Sequence, residues 1–147
     1  MKTSLEKLPK IKQGELKKIL DLIRETEPKI EMIILFGSYA RGDFVDKDVY
    51  KEKGTIYEYK SDYDILVVVD SEDLALNHGL WREIKDKARK DKTINTPLRI
   101  IAEEVQFLNE QLSLGRYFYS DIKKEGIVLF DSKKHKLSEP KKLSKEE

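Results

Sequence analysis

Apolar residues along this chain keep two different rhythms. Leu16, Ile19, Leu20 and Ile23 recur at three- and four-residue steps with charged residues between them, the spacing of one helical face. The pattern predicts a helix over residues 13–26, ended before Pro28 because a residue preceding proline is pushed out of the helical region. Residues 30–36 and 62–69 instead carry near-continuous apolar runs, the signature of strands covered on both faces. Residues 96–102 predict a third strand and residues 127–130 a last short one. Leu76, Leu80, Ile84 and Ala88 predict a helix over residues 72–91, with Trp81 on its apolar edge. Val105, Leu108 and Leu112 predict another, stopped at Gly115, and Tyr117, Phe118 and Ile122 a final short helix with Gly126 as its cap.

Strands alternating with helices define an α/β (α+β) domain with a mixed central sheet flanked by helices. Between the first two strands, Val49-Tyr50 and residues 55–59 flank Glu52-Lys53-Gly54, which reads as an inserted β-hairpin over about residues 43–60. The domain is expected to run over residues 1–130. Residues 131–147 are lysine-rich, contain Pro140 and have no apolar period, so they read as a basic tail or linker.

A chain of 147 residues suits one domain with a real core. Its net charge of +1 gives no strong pull toward nucleic acid or a membrane surface, although 39% of its residues are charged. It has no cysteine, which excludes a disulfide framework, a thiolate nucleophile and a zinc–cysteine site. No apolar run approaches the roughly 18–20 residues of a membrane span, and residues 1–12 lack the apolar core of a signal peptide. The cytoplasm is the expected location. His78 and His135 are isolated and read as surface residues.

The chemistry concentrates where one apolar run ends and the next begins. Gly37-Ser38 closes the first strand, and a short helix is expected to start near Ser38. Asp62 and Asp64 open the second strand two residues apart, so their side chains share a face. Two carboxylates at that spacing suit one hard cation such as Mg²⁺ or Mn²⁺. A glycine-serine turn with free N–H groups suits the phosphates that such a cation bridges. The plainer alternatives are two aspartates at a solvent-facing strand edge and an ordinary serine-capped turn. Arg41 reads either as a phosphate contact or as a surface arginine.

The stretches Phe36-Gly37-Ser38-Tyr39-Ala40-Arg41-Gly42-Asp43 and Ser61-Asp62-Tyr63-Asp64-Ile65-Leu66-Val67 resemble the nucleotidyltransferase fold shared with DNA polymerase beta. More narrowly, they are similar to the minimal nucleotidyltransferase (MNT) proteins of bacteria and archaea. The resemblance covers about residues 15–130. It implies transfer of a nucleoside monophosphate, AMP from ATP, to a hydroxyl with release of pyrophosphate. Asp62 and Asp64 would be the catalytic and metal-binding residues, and Gly37, Ser38 and Arg41 the nucleotide-binding ones. It also implies a helical HEPN-type partner whose tyrosine is the acceptor, in a toxin–antitoxin pair; oligomers are compatible with it, and nucleic acid is not an expected partner.

Two departures from the family pattern stand out. The 23 residues from Tyr39 to Ser61 exceed the usual separation of the two motifs, and the hairpin supplies the excess. Its Tyr50, Tyr57 and Tyr59 suit stacking on a base, lining an acceptor surface, or packing on one another. Second, Arg99 occupies the strand position where active relatives carry a third carboxylate. Glu103 and Glu104 lie just beyond, as substitutes reaching back or as first-turn helix acids. That departure leaves open a rival reading, a non-catalytic partner-binding module that keeps the fold.

Overall fold

The computed structural model describes residues 1–140, the Asp48 side chain excepted. The elements are α1 (Lys10–Thr26), β1 (Met32–Phe36), α2 (Ser38–Arg41), β2 (Asp48–Glu52), β3 (Thr55–Tyr59), β4 (Tyr63–Val69), α3 (Glu72–Ala75), α4 (His78–Lys90), β5 (Leu98–Glu104), α5 (Val105–Ser113), α6 (Tyr117–Glu125) and β6 (Ile127–Asp131). Four strands form a mixed sheet in the order β5-β4-β1-β6. β1 is antiparallel to both neighbours, and β4 runs parallel to β5.

The strand pleat sends alternate side chains to opposite faces, and both faces are covered. Ile33, Leu35, Tyr63, Ile65, Val67 and Val69 pack with Leu16, Ile19 and Ile23 of α1 and with Trp81, Ile84 and Ala88 of α4. Ile34, Phe36, Leu66 and Val68 pack with Val105, Leu108 and Leu112 of α5 and Ile122 of α6. All five residues of β1 are buried, which is why that strand reads as an unbroken apolar run.

The helix expected over residues 72–91 is two helices. Ser71 caps α3 by accepting the Leu74 N–H at 3.3 Å, and Asn77 caps α4 by accepting the Leu80 N–H at 3.2 Å. Trp81 is buried and joins the pair by donating its indole N–H to the carbonyls of Leu74 and Ala75. Gly126 ends α6 as expected, but its φ is −67°, so no left-handed cap demands glycine there. A Cβ would instead come within 2.5 Å of the Ile122 carbonyl oxygen and 2.7 Å of the Ile34 side chain; glycine is required because the chain is squeezed between the end of α6 and β1.

The hairpin forms as a separate two-stranded sheet, β2 against β3, with Lys53 and Gly54 both at positive φ in its two-residue turn. Its base is pinched shut: Ser61 donates its N–H to the Val45 carbonyl at 2.8 Å, and the Ser61 hydroxyl accepts the Val45 N–H at the same distance. After β6 the chain does not leave the domain at once. Leu137 is buried, Asn109 accepts the Ser138 N–H at 2.7 Å, and Lys123 pairs with Glu139. No helix among the described residues is long and apolar enough to cross a membrane.

Candidate active site

The site lies at the end of the sheet where β1 stops and β4 starts. Phe36 pairs with Asp64 in the antiparallel register, so the turn after Phe36 sits directly on the Asp64 side chain. Gly37 makes that approach possible. Its φ is +75°, and a Cβ there would collide with Asp64 Oδ2. The turn then winds into α2, where the N–H groups of Arg41 and Gly42 are used by the carbonyls of Gly37 and Ser38.

Phe36, Gly37, Ser38, Arg41, Tyr59, Asp64, Arg99, Phe118, Asp121, Ile122 and Glu125 line one open cleft of about 440 Å³. Asp64, Gly37, Ser38 and Arg41 are thus brought together. Asp62 is not part of that lining, yet its charge reaches Asp64. Burial pushes the Asp64 pKa up, Asp62 pushes the same way, and Arg99 and Arg41 oppose them. Asp64 Oδ1 is buried and accepts no hydrogen bond among the described residues; Arg99 Nε stands 3.5 Å from it. A buried carboxylate oxygen without a donor, beside a second carboxylate, fits a divalent cation held by Asp62 and Asp64.

Arg41 is engaged rather than free. Its Nε donates to Asp43 at 3.2 Å and its Nη1 to Glu125 at 3.3 Å. Asp121 and Glu125 were not singled out in the sequence; their i, i+4 spacing on α6, either side of the buried Ile122, is the signal that puts both on one helical face toward the cleft. Arg99 stands beside Asp64 in the parallel register, at the strand position where the resemblance implies a third carboxylate.

Glu103 and Glu104 do not reach back. β5 runs on through both of them, and they pair with Val68 and Val69 at the opposite end of the sheet. There Glu103 accepts the Tyr119 hydroxyl at 3.1 Å, and Glu104 caps α5 by accepting the Gln106 N–H.

Tyr63, between the two aspartates, points to the other face. Its hydroxyl donates to Glu15 at 2.7 Å, and Glu15 also accepts from the Asn95 N–H and the Thr96 hydroxyl. Lys12 donates to Thr96 at 2.7 Å and pairs with Asp46 at 2.7 Å, at the hairpin base. This buried network fixes the start of β4, and no motif in the sequence marks it.

Residues 17–135 match the model of the polymerase beta, nucleotidyltransferase family, and the chain belongs to that family. No curated protein matches it. Among solved structures, a mutant of the toxin–antitoxin MntA-HpeT is 17% identical, with 80% of this chain and 73% of that chain covered and a TM-score of 0.50. A tri-AMPylated Shewanella oneidensis HEPN toxin in complex with MNT antitoxin is 18% identical, with 82% and 72% covered and a TM-score of 0.48. A toxin–antitoxin with AMP-PNP is 19% identical, with 80% and 73% covered and a TM-score of 0.49.

Proposed function

We propose that this protein is a minimal nucleotidyltransferase that moves AMP from ATP to a hydroxyl. One observation carries the reading most directly: the glycine turn after β1 packs onto the Asp64 carboxylate at the start of β4, whose Oδ1 is buried and accepts no hydrogen bond among the described residues. In this reading Asp62 and Asp64 hold Mg²⁺ or Mn²⁺, and the Gly37-Ser38 turn holds the triphosphate. The cation supplies charge neutralisation and polarises the reacting phosphoryl group. Arg41 exchanges its carboxylate partners for phosphate, which its planar fork can hold through two hydrogen bonds. The acceptor hydroxyl attacks the α-phosphorus, and pyrophosphate leaves.

The sequence resemblance supports a HEPN-type protein as partner and one of its tyrosines as acceptor. A solved complex that shares the fold is itself a toxin–antitoxin. The cytoplasm is the expected setting.

The rival reading is a binding module without catalysis. Arg99 favours it, since its guanidinium sits against the carboxylate that would hold the cation. Calorimetric titration of ATP and magnesium into the wild type and Asp64→Asn separates the two. Binding that Asp64→Asn abolishes supports the transferase; no nucleotide binding to either chain supports the module.

A further inference from the structure

We infer that the opposite end of the sheet holds a second divalent-cation site, built from Glu31, Asp70 and His135 and suited to zinc rather than magnesium. Glu31 immediately precedes β1, Asp70 follows β4, and His135 lies just past β6. Three neighbouring strands therefore each deliver one side chain to the same rim, and one ligand atom from each lies within 4.8 Å of the others. At about 3.3 Å per strand residue, this rim is roughly 17 Å from the Phe36 end of β1, so it is separate from the nucleotide cleft.

The placement of His135 is built locally. The Ser132 N–H donates to the Glu31 carbonyl at 2.8 Å, and Lys133 takes a positive φ of 65° that turns the chain. The Lys134 N–H then donates to the Ser132 hydroxyl at 3.3 Å. His135 Nε2 arrives 3.7 Å from Glu31 Oε2.

The Glu31 side chain is only 8% exposed. Its carboxylate accepts one hydrogen bond among the described residues, from Ser132 Oγ at 2.6 Å. Among the described residues no lysine or arginine pairs with it, and His135 is its sole ion-pair neighbour. Burying a carboxylate without a cation is costly, and a bound cation removes that cost. The donor set selects the ion: imidazole with carboxylates suits zinc, whereas magnesium prefers oxygen ligands and keeps its water. Zinc bonds of about 2.0–2.2 Å need the donors closer together than they stand. The exposed Asp70 and the half-buried His135 can close the gap by side-chain rotation. Such an ion would staple the segment after β6 to the ends of β1 and β4.

The test is calorimetric titration of zinc chloride into the tag-free full chain, with Asp64→Asn, Asp70→Asn and His135→Ala alongside, each checked for folding by circular dichroism. The expected result is a saturable zinc event in the wild type that survives in Asp64→Asn and excess magnesium but disappears in His135→Ala and Asp70→Asn. Zinc should also raise the melting temperature of the first two chains, reversibly with EDTA, and leave that of the last two unmoved. Absence of the event in the wild type, or its persistence in His135→Ala, would overturn the assignment.

Discussion

Arg99 Nε stands 3.5 Å from Asp64 Oδ1, its register partner on the parallel strand β4. A cation entering between Asp62 and Asp64 must displace or tolerate that guanidinium. The Arg99 side chain is 62% exposed, so the pair itself contributes about 0–1 kcal/mol. Arg99→Asp removes the competing charge and adds a third carboxylate. It should strengthen magnesium-dependent ATP binding several-fold and raise AMP transfer, measured by calorimetry and by pyrophosphate release with manganese. No gain in either would mean that Arg99 does not restrain the site.

Asp64→Asn should abolish magnesium-dependent ATP binding and yet make the ligand-free protein more stable. The Asp64 pKa is raised, chiefly by burial and then by Asp62. A carboxyl raised in the fold adds stability below its unfolded pKa and loses it as pH rises through the folded value. At neutral pH the wild type therefore carries a strained charge that asparagine lacks. Thermal melts should show the variant higher at neutral pH and the two converging in acid; a lower melting temperature at neutral pH would contradict this.

Gly37→Ala tests the turn. The new Cβ meets the Asp64 carboxylate at a positive φ, a conformation that costs about 1–3 kcal/mol for a residue with a side chain. Chemical denaturation should register a loss of that size, and ATP binding should fall with it. A variant with wild-type stability and affinity would remove the steric argument for glycine.

Glu15→Ala addresses the network beneath the site. Burial alone would raise the Glu15 pKa, but the Asn95 N–H, the Tyr63 and Thr96 hydroxyls and Lys12 outweigh it, and the net shift is downward. A lowered carboxyl contributes stability above its unfolded pKa and loses it as pH falls through the folded value. The variant leaves Lys12, Tyr63 and Thr96 without their shared partner, a loss of about 3 kcal/mol at neutral pH. Urea titrations should show that loss shrinking as pH falls below the carboxylate range; a pH-independent difference would exclude an electrostatic origin.

How much of this was legible in the sequence depended on the length of the signal. The unbroken apolar runs at β1 and β4 marked a sheet covered on both faces, and Gly37, Asp62 and Asp64 sat at run ends where motif and strand boundary coincide. The inserted hairpin was legible from Lys53-Gly54 between β-rich stretches. The break at Asn77 was not, because Leu76, Leu80 and Ile84 keep helical spacing across it, and only the Asn77 cap separates the two helices. Glu103 and Glu104 were ambiguous because the end of β5 decides which rim they occupy. Glu15, Asp121 and Glu125 enter their sites through tertiary packing, which leaves no local mark beyond an ordinary helical spacing. His135 reads as an isolated surface histidine until the turn at Lys133 folds it back.

The pinched base of the hairpin has a consequence for how such a protein can change. Val45 and Ser61 close the insertion with a reciprocal pair of hydrogen bonds, and every residue of β3 beyond that neck is exposed. Among the described residues the insertion's strands pair with each other and share no ladder with the four-stranded sheet. Its outer tip can be reshaped without breaking a rung of that sheet, whereas its foot is anchored, with Tyr59 lining the cleft and Asp46 held by Lys12, so the loop is a free arm on a fixed shoulder.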